Sequence, residues 1–167
     1  MAAGSTYTPI ATTTLGSAVA SYTFTSIPST YTDLVLISSM QTSIANDAAR
    51  LEFNGDTASN YSFTQLYGNG STATSNRATS QTAGRFANDC PNSTYFGTYV
   101  TQIQNYSNAT TFKTMISRGN AANQSLQTFV TLWRKTPEAI TSMKIAPESG
   151  GTLLTGSTFT LYGIAAA

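Results

Sequence analysis

The sequence predicts an all-β fold, an antiparallel β-sandwich of jelly-roll type. Three observations indicate it. About eight to ten short segments alternate apolar and polar residues, and turn-forming residues separate them at roughly regular spacing. No amphipathic segment with helical periodicity is long enough to form a useful helix. No exact internal repeat occurs, which disfavours a propeller or a β-helix.

The longest run of large aliphatic residues, 34–37, lies within the segment 27–40. It is much too short to span a membrane, and turn-forming residues bound it. The run predicts a strand covered on both faces, around which the other strands pack. Pro28 lacks a backbone donor and pushes Ile27 toward extended geometry, so it marks the start of this segment.

The N-terminal part predicts a hairpin, with strands over 12–15 and 18–25 around a turn at Gly16 and Ser17. The chain is expected to form one domain over 1–167. A possible N-terminal arm at 1–14 would reach a neighbouring molecule, because chain ends are poorly ordered unless something holds them.

Strong turn residues at 54–56, Asn-Gly-Asp, predict a second hairpin that joins strands at 50–53 and 60–67. The segment 43–49 is long enough for one helical turn at most. The segment 68–91 is predicted to be a loop, since its first part is almost entirely small and polar. Long loops are often functional, so this is the best candidate for an exposed segment that contacts a partner.

Strands resume in the last part of the chain. They are predicted over 95–103, 111–118, 126–134, 139–146 and 157–164. A turn at 105–108, a loop at 119–124, Pro137 and the glycines at 150 and 151 separate them. The strand over 126–134 carries large residues on both faces.

The charge content excludes several classes of partner. Only 9% of the residues are charged, whereas the average is roughly 25%. The net charge of +1 gives no electrostatic basis for binding nucleic acid or an anionic membrane. A surface with so little charge favours a subunit that is partly covered by its neighbours.

The N-terminus has no signal-peptide pattern, and the single Cys90 allows no disulfide within the chain, as expected of a protein made in a cytoplasm.

The sequence predicts no enzyme, cofactor or metal site. Without histidine, the common nucleophile–base pairs cannot form, and a single cysteine disfavours a zinc site. Cys90 is expected to be a small core or loop residue. The segment 54–60 faintly resembles a cation-binding loop, but a turn explains it more simply. No diagnostic pair for glycoside hydrolysis stands out among the seven acids, which are Asp33, Asp47, Glu52, Asp56, Asp89, Glu138 and Glu148.

Several aromatic residues have two possible roles. Packing in the core or across strands is the simpler one, because strands are naturally rich in aromatics. The alternative is a surface for a sugar or another partner. The residues concerned are Tyr61, Tyr67, Tyr95, Tyr99, Tyr106 and Trp133.

Five motifs occur in a recognisable order. They are Ile-Pro-Ser-Thr-Tyr-Thr-Asp-Leu-Val-Leu at 27–36, Phe-Asn-Gly-Asp at 53–56, Asn-Tyr-Ser at 60–62, Asn-Tyr-Ser-Asn at 105–108 and Gly-Ser-Thr-Phe-Thr-Leu-Tyr-Gly-Ile at 156–164. In this order they resemble a family of small β-sandwich structural proteins of tailed bacteriophages, over about residues 7–164. The resemblance implies a virion component, often a symmetric oligomer, and no catalytic pattern.

Two functions are therefore expected. The first is a capsid decoration, cement or knob protein, which binds the major capsid protein or other virion proteins on the outer surface of the head as a small homo-oligomer such as a trimer. The chain ends soon after its last strand, which favours a small decoration subunit over a tail fibre. The alternative is a protein associated with the tail or a tail fibre that binds a host surface glycan.

Overall fold

The computed structural model describes residues 6–92, 95–122 and 124–165. These residues form twelve β-strands and no helix. The strands are β1 (Tyr7–Thr14), β2 (Tyr22–Phe24), β3 (Asp33–Met40), β4 (Asp47–Phe53), β5 (Tyr61–Gly68), β6 (Ala73–Gln81), β7 (Gly84–Cys90), β8 (Gly97–Gln104), β9 (Lys113–Ala121), β10 (Ser125–Trp133), β11 (Met143–Pro147) and β12 (Thr158–Ile164).

The strands make two antiparallel sheets that pack face to face. The larger sheet has eight strands in the order β1-β12-β3-β8-β9-β10-β5-β6, and the smaller has four in the order β2-β11-β4-β7. The antiparallel β-sandwich predicted from the sequence is thus confirmed, and its strand order is compatible with a jelly roll.

The predicted central strand is β3, which lies inside the larger sheet between β12 and β8. Leu34 and Leu36 point into the core and are fully buried, and Val35 is buried on the other face. Ile37 is exposed on that same outer face. A two-layered sandwich covers only one face of each sheet, so the strand is not covered on both faces along its whole length.

Side chains of the larger sheet bind the free edge of β7, the last strand of the smaller sheet. The hydroxyls of Ser117 and Thr131 each donate a 2.7 Å hydrogen bond, to the carbonyls of Phe86 and Arg85 respectively. Gln127 accepts from the backbone N–H of Asn88 at 2.7 Å and donates to its carbonyl. These contacts explain why polar residues point into the core, since buried backbone groups need partners.

Both hairpins predicted in the first half of the chain are wrong. β1 and β2 belong to different sheets, and so do β4 and β5. Asn54 and Gly55 do have the positive φ angles of a tight turn, 52° and 68°. The chain nevertheless crosses from one sheet to the other there, because turn residues determine a reversal of direction and not the sheet that follows it.

The predicted loop at 68–91 is also wrong, because it contains β6 and β7. β6 is exposed on both faces, so it shows no apolar alternation, and the expected exposure is found for this strand but not for β7, which is largely buried. No helical turn forms at 43–49. The carboxylate of Asp47, at the start of β4, instead binds the hydroxyl of Ser149 at 2.7 Å.

The possible N-terminal arm is a strand from Tyr7 onward, where β1 pairs with β12. Residues 1–5 lie outside the described residues. The expected loop at 119–124 is shorter than predicted, since β9 continues to Ala121 and β10 starts at Ser125. The strands predicted in the last part of the chain are confirmed, with β11 shorter than expected, and β8, β9 and β10 are consecutive antiparallel neighbours.

Candidate binding surface on the eight-stranded sheet

The outer face of the larger sheet, which points away from the core, carries several exposed aliphatic side chains. Successive side chains of a strand point to opposite faces, so alternate residues of β3, β8, β9, β10 and β5 lie on this surface. Large aliphatic side chains among them are well exposed: Ile37 38%, Leu66 59%, Ile116 41%, Leu126 67% and Val130 42%. A contiguous patch of this kind marks an interaction surface more often than isolated exposed residues do.

Part of this face forms a shallow, open groove of about 940 Å³. The groove crosses five strands, from Val100 on β8 to Ser75 on β6, with Arg118, Leu126 and Leu66 between them. The strand pairing aligns four of these residues in one cross-strand row, since Val100 pairs with Arg118 and Leu66 with Ser75, while Thr128 joins the two pairs. Five of these residues are hereafter called the groove residues: Val100, Arg118, Leu126, Leu66 and Ser75.

The groove carries positive charge that no carboxylate neutralises. Among the described residues, neither Arg118 nor Arg77 takes part in an ion pair. The carboxylate of Asp33 lies at the far rim of the same face. It accepts hydrogen bonds from Gln102 at 3.1 Å and from the backbone N–H of Asn105 at 2.7 Å, so it is already engaged.

The aromatic residues singled out in the sequence are mostly core residues. Trp133 is 3% exposed, and Tyr61, Tyr99 and Tyr106 are fully buried or nearly so. Tyr61 and Trp133 stack with ring centroids 6.2 Å apart. Tyr67 contributes to the groove, but its side chain leaves β5 on the opposite face from that of Leu66. Tyr95 is half-buried and is not among the groove lining.

The turn at 54–60 has a structural role that its sequence did not reveal. Asp56 is buried, and its carboxylate accepts hydrogen bonds from the indole N–H of Trp133 at 2.6 Å, the amide of Asn60 at 2.9 Å and the backbone N–H of Ala58 at 3.0 Å. These partners occupy the oxygens that a bound cation would need. Asp56 therefore fastens the segment between β4 and β5 to the end of β10.

Cys90 is a core residue, as expected from its sequence context. Its side chain is fully buried, and its sulfur lies 3.7 Å from the hydroxyl of Tyr99. Burial raises the pKa of the Cys90 thiol to about 12, so the thiolate is not populated near neutral pH.

The described part of the chain contains no cluster of three or more Cys, Asp or Glu side chains placed to hold a metal ion. Within the same residues, no helix is long and apolar enough to cross a membrane.

Sequence reasoning missed the groove, although one signal for it was visible. The strand over 126–134 has large residues on both faces, and only one face of a sandwich strand can point to the core. The outer set of that strand includes Leu126 and Val130. The contribution of β6 left no such signal, because its residues are small and polar.

No family model matches the chain, and no curated protein matches it either. Solved structures show distant likeness. The galectin LEC-6 of Caenorhabditis elegans has a TM-score of 0.39 and 7% identity, with 93% of this chain and 96% of that chain covered. A protein of unknown function from Shewanella oneidensis MR-1 has a TM-score of 0.28 and 6% identity, with 100% and 82% covered. At these scores neither similarity bears on function.

Proposed function

We propose that the chain is a structural protein of a tailed-phage virion that acts by binding other proteins, as a decoration or cement subunit on the outer surface of the head. The observation that carries the proposal is the exposed aliphatic face of the larger sheet, with its groove. A free protein gains nothing from exposing Leu66 and Leu126, which are 59% and 67% exposed, whereas each contributes on the order of 1–2 kcal/mol when a partner covers its exposed part.

The low charge of the chain supports the same proposal. A face without a dense layer of lysine and glutamate loses little hydration when another protein covers it. Each contact is small, but a small oligomer that bridges neighbouring shell proteins gains affinity through multivalency. The resemblance of the five sequence motifs to tailed-phage structural proteins supports a virion protein as the partner, and the small size expected of a decoration subunit favours the shell over the tail.

The edge strand β6 offers a second mode of contact. It pairs with β5 on one side only, and its residues are exposed on both faces. An extended segment of a shell protein can add to such an edge through backbone hydrogen bonds. β6 also borders the groove, so strand addition at its edge and coverage of the groove would act at one end of the sheet.

Immunogold electron microscopy of intact particles, with antibody against this chain, tests the proposal. We expect gold over the whole head and a high copy number per particle. Gold confined to the tail would contradict a decoration role and would favour the alternative, a tail protein that binds a host glycan. Particles that contain none of the chain would show that it is not a virion protein.

A further inference from the structure

The groove combines apolar surface with the cation Arg118 at its centre, which has no ion-pair partner among the residues that the structure describes. Arg118 lies between Val100 on β8 and Thr128 on β10, the exposed Leu66 continues this row on β5, and the exposed Leu126 lies beside it. A ligand that covers Arg118 removes water from the guanidinium, which costs free energy unless a carboxylate or similar group pairs with it. The complementary ligand is therefore apolar with a single acidic group.

A second copy of the groove does not fit this requirement. In a two-fold dimer the same patch of each subunit contacts the other, so the Arg118 side chains of both would approach each other in a contact that excludes water. Arg77 adds a further positive charge on this face, and Asp33 is already hydrogen-bonded. Like charges in such a contact disfavour self-association through the groove.

The outer face of the smaller sheet does not supply the missing carboxylate either. Glu52 there is paired with Lys144 at 3.0 Å, and Glu148 is paired with Arg85. Docking that face into the groove would require breaking one of these pairs. A segment of a different protein fits the groove better than either of these two faces of a second copy.

The dimensions of the groove indicate the form of that occupant. Five adjacent strands span about 19 Å, since neighbouring strands lie roughly 4.8 Å apart. An extended peptide of about six residues covers the same distance. Alternate residues of such a peptide face one side, which allows one acidic side chain to lie between two aliphatic ones.

We propose that the groove binds an extended segment of another protein in which a carboxylate, paired with Arg118, lies between aliphatic side chains that cover Leu66, Leu126 and Val100. This inference rests on the proposed function, because both require another protein to bind at the groove. It adds the chemistry of the segment that the groove selects.

The test uses NMR titration of the 15N-labelled full chain with the peptide acetyl-Thr-Leu-Ser-Asp-Thr-Leu-Ser-amide. We expect saturable shifts at the groove residues, and about fivefold weaker binding when asparagine replaces the aspartate of the peptide. Arg118→Gln should weaken binding of the acidic peptide by a similar factor. Arg134→Gln, the same change at the exposed residue that follows β10 outside the groove, should leave it unchanged.

Charge reversal provides the decisive comparison. Arg118→Glu should prefer the peptide with lysine in place of aspartate, whereas the original chain should reject that peptide. Leu126→Ala should weaken binding about tenfold, because it removes apolar surface that the peptide covers. Thermal melting of each variant shows whether it is folded, and the exposure of both side chains predicts an unchanged Tm.

Equal affinity for the aspartate, asparagine and lysine peptides would overturn the inference. So would the absence of saturable shifts up to about 10 mM peptide, where even a millimolar Kd approaches saturation. If gold labels the head but the peptides are not discriminated, the inference fails and the proposed function stands. If the peptides are discriminated but virions lack the chain, the proposed function fails and the chemistry of the groove stands.

Discussion

Asp56 shows how one side chain can organise a loop and connect it to the opposite sheet. Its carboxylate binds the loop through Asn60 and Ala58, and binds the end of β10 through the indole of Trp133. Trp133 is itself packed against Tyr61 and Phe53. The Asn-Gly-Asp sequence predicted a turn but not these contacts, because the indole lies far away along the chain.

Asp56→Ala should lower the free energy of unfolding by about 2–3 kcal/mol, because it leaves the buried indole N–H of Trp133 without an acceptor. Urea unfolding followed by circular dichroism measures this change. Trp133→Phe removes the same hydrogen bond from the other side, so the double variant should lose less than the sum of the two single losses. Strict additivity would show that the two side chains are not coupled.

The same carboxylate should contribute to acid sensitivity. Burial raises the pKa of Asp56, but hydrogen bonds from Asn60 and Trp133 outweigh it, and the pKa lies below the ordinary 3.8. The amide of Asn54 holds the pKa of Glu138 below the ordinary 4.5, aided by Lys135. Both contributions to stability are present above the ordinary values and are lost as pH falls through the lowered ones.

Unfolding free energy should therefore decrease steeply below about pH 4, because the unfolded chain binds more protons there. Urea unfolding at a series of pH values measures the slope. Asp56→Asn and Glu138→Gln should each make the slope shallower. If neither variant changes it, other carboxylates determine the acid response.

At the scale of elements, the edge of β7 depends on side chains instead of a neighbouring strand. Thr131→Val should lower the free energy of unfolding by about 1–2 kcal/mol, because the carbonyl of Arg85 loses its donor. Thr128→Val is the matched control, since it makes the same change on the same strand at an exposed position. It should alter stability by less than about 0.5 kcal/mol, as surface substitutions usually do. Equal losses of unfolding free energy in the two variants would show that the hydrogen bond from Thr131 to the edge of β7 does not stabilise the fold.

The sequence predicted strands correctly where one face of a strand is apolar and where strands that follow each other in the chain are also neighbours in the sheet. β8, β9 and β10 are examples. Sequence reasoning failed for β6, which has no buried face, and for β7, whose edge partners are hydroxyl and amide side chains from other strands. It also paired β4 with β5 because it treated a turn as a hairpin. The sheet that a strand joins depends on contacts distant in sequence, and no local pattern reports them.

For the whole molecule in its proposed virion role, the groove should determine incorporation into particles. The double variant Leu66→Ser, Leu126→Ser removes the two most exposed aliphatic side chains of the groove, so the copy number per purified particle should decrease at least about tenfold. Its Tm should remain unchanged, because neither side chain contributes to the core. Quantitative gel analysis of particles measures the copy number.

Phe112→Ser provides the control for this experiment. Phe112 is 58% exposed, similar to Leu66, but it does not line the groove. Its replacement should leave the copy number unchanged. A similar decrease in both variants would show that general surface hydrophobicity, and not the groove, governs incorporation.

The uncovered edge of β6 has a consequence for the time between synthesis and assembly. Unpaired backbone groups on an edge strand invite another strand to add, which leads to aggregation. Arg77 is the one charged residue on β6, whereas β1, the opposite edge of the sheet, contains Pro9 and an irregular register. A chain that waits at high concentration is therefore exposed to misassembly through β6. In the proposed virion role, docking onto the shell soon after folding would cover this edge, so production of the chain should be matched in time to production of the shell protein.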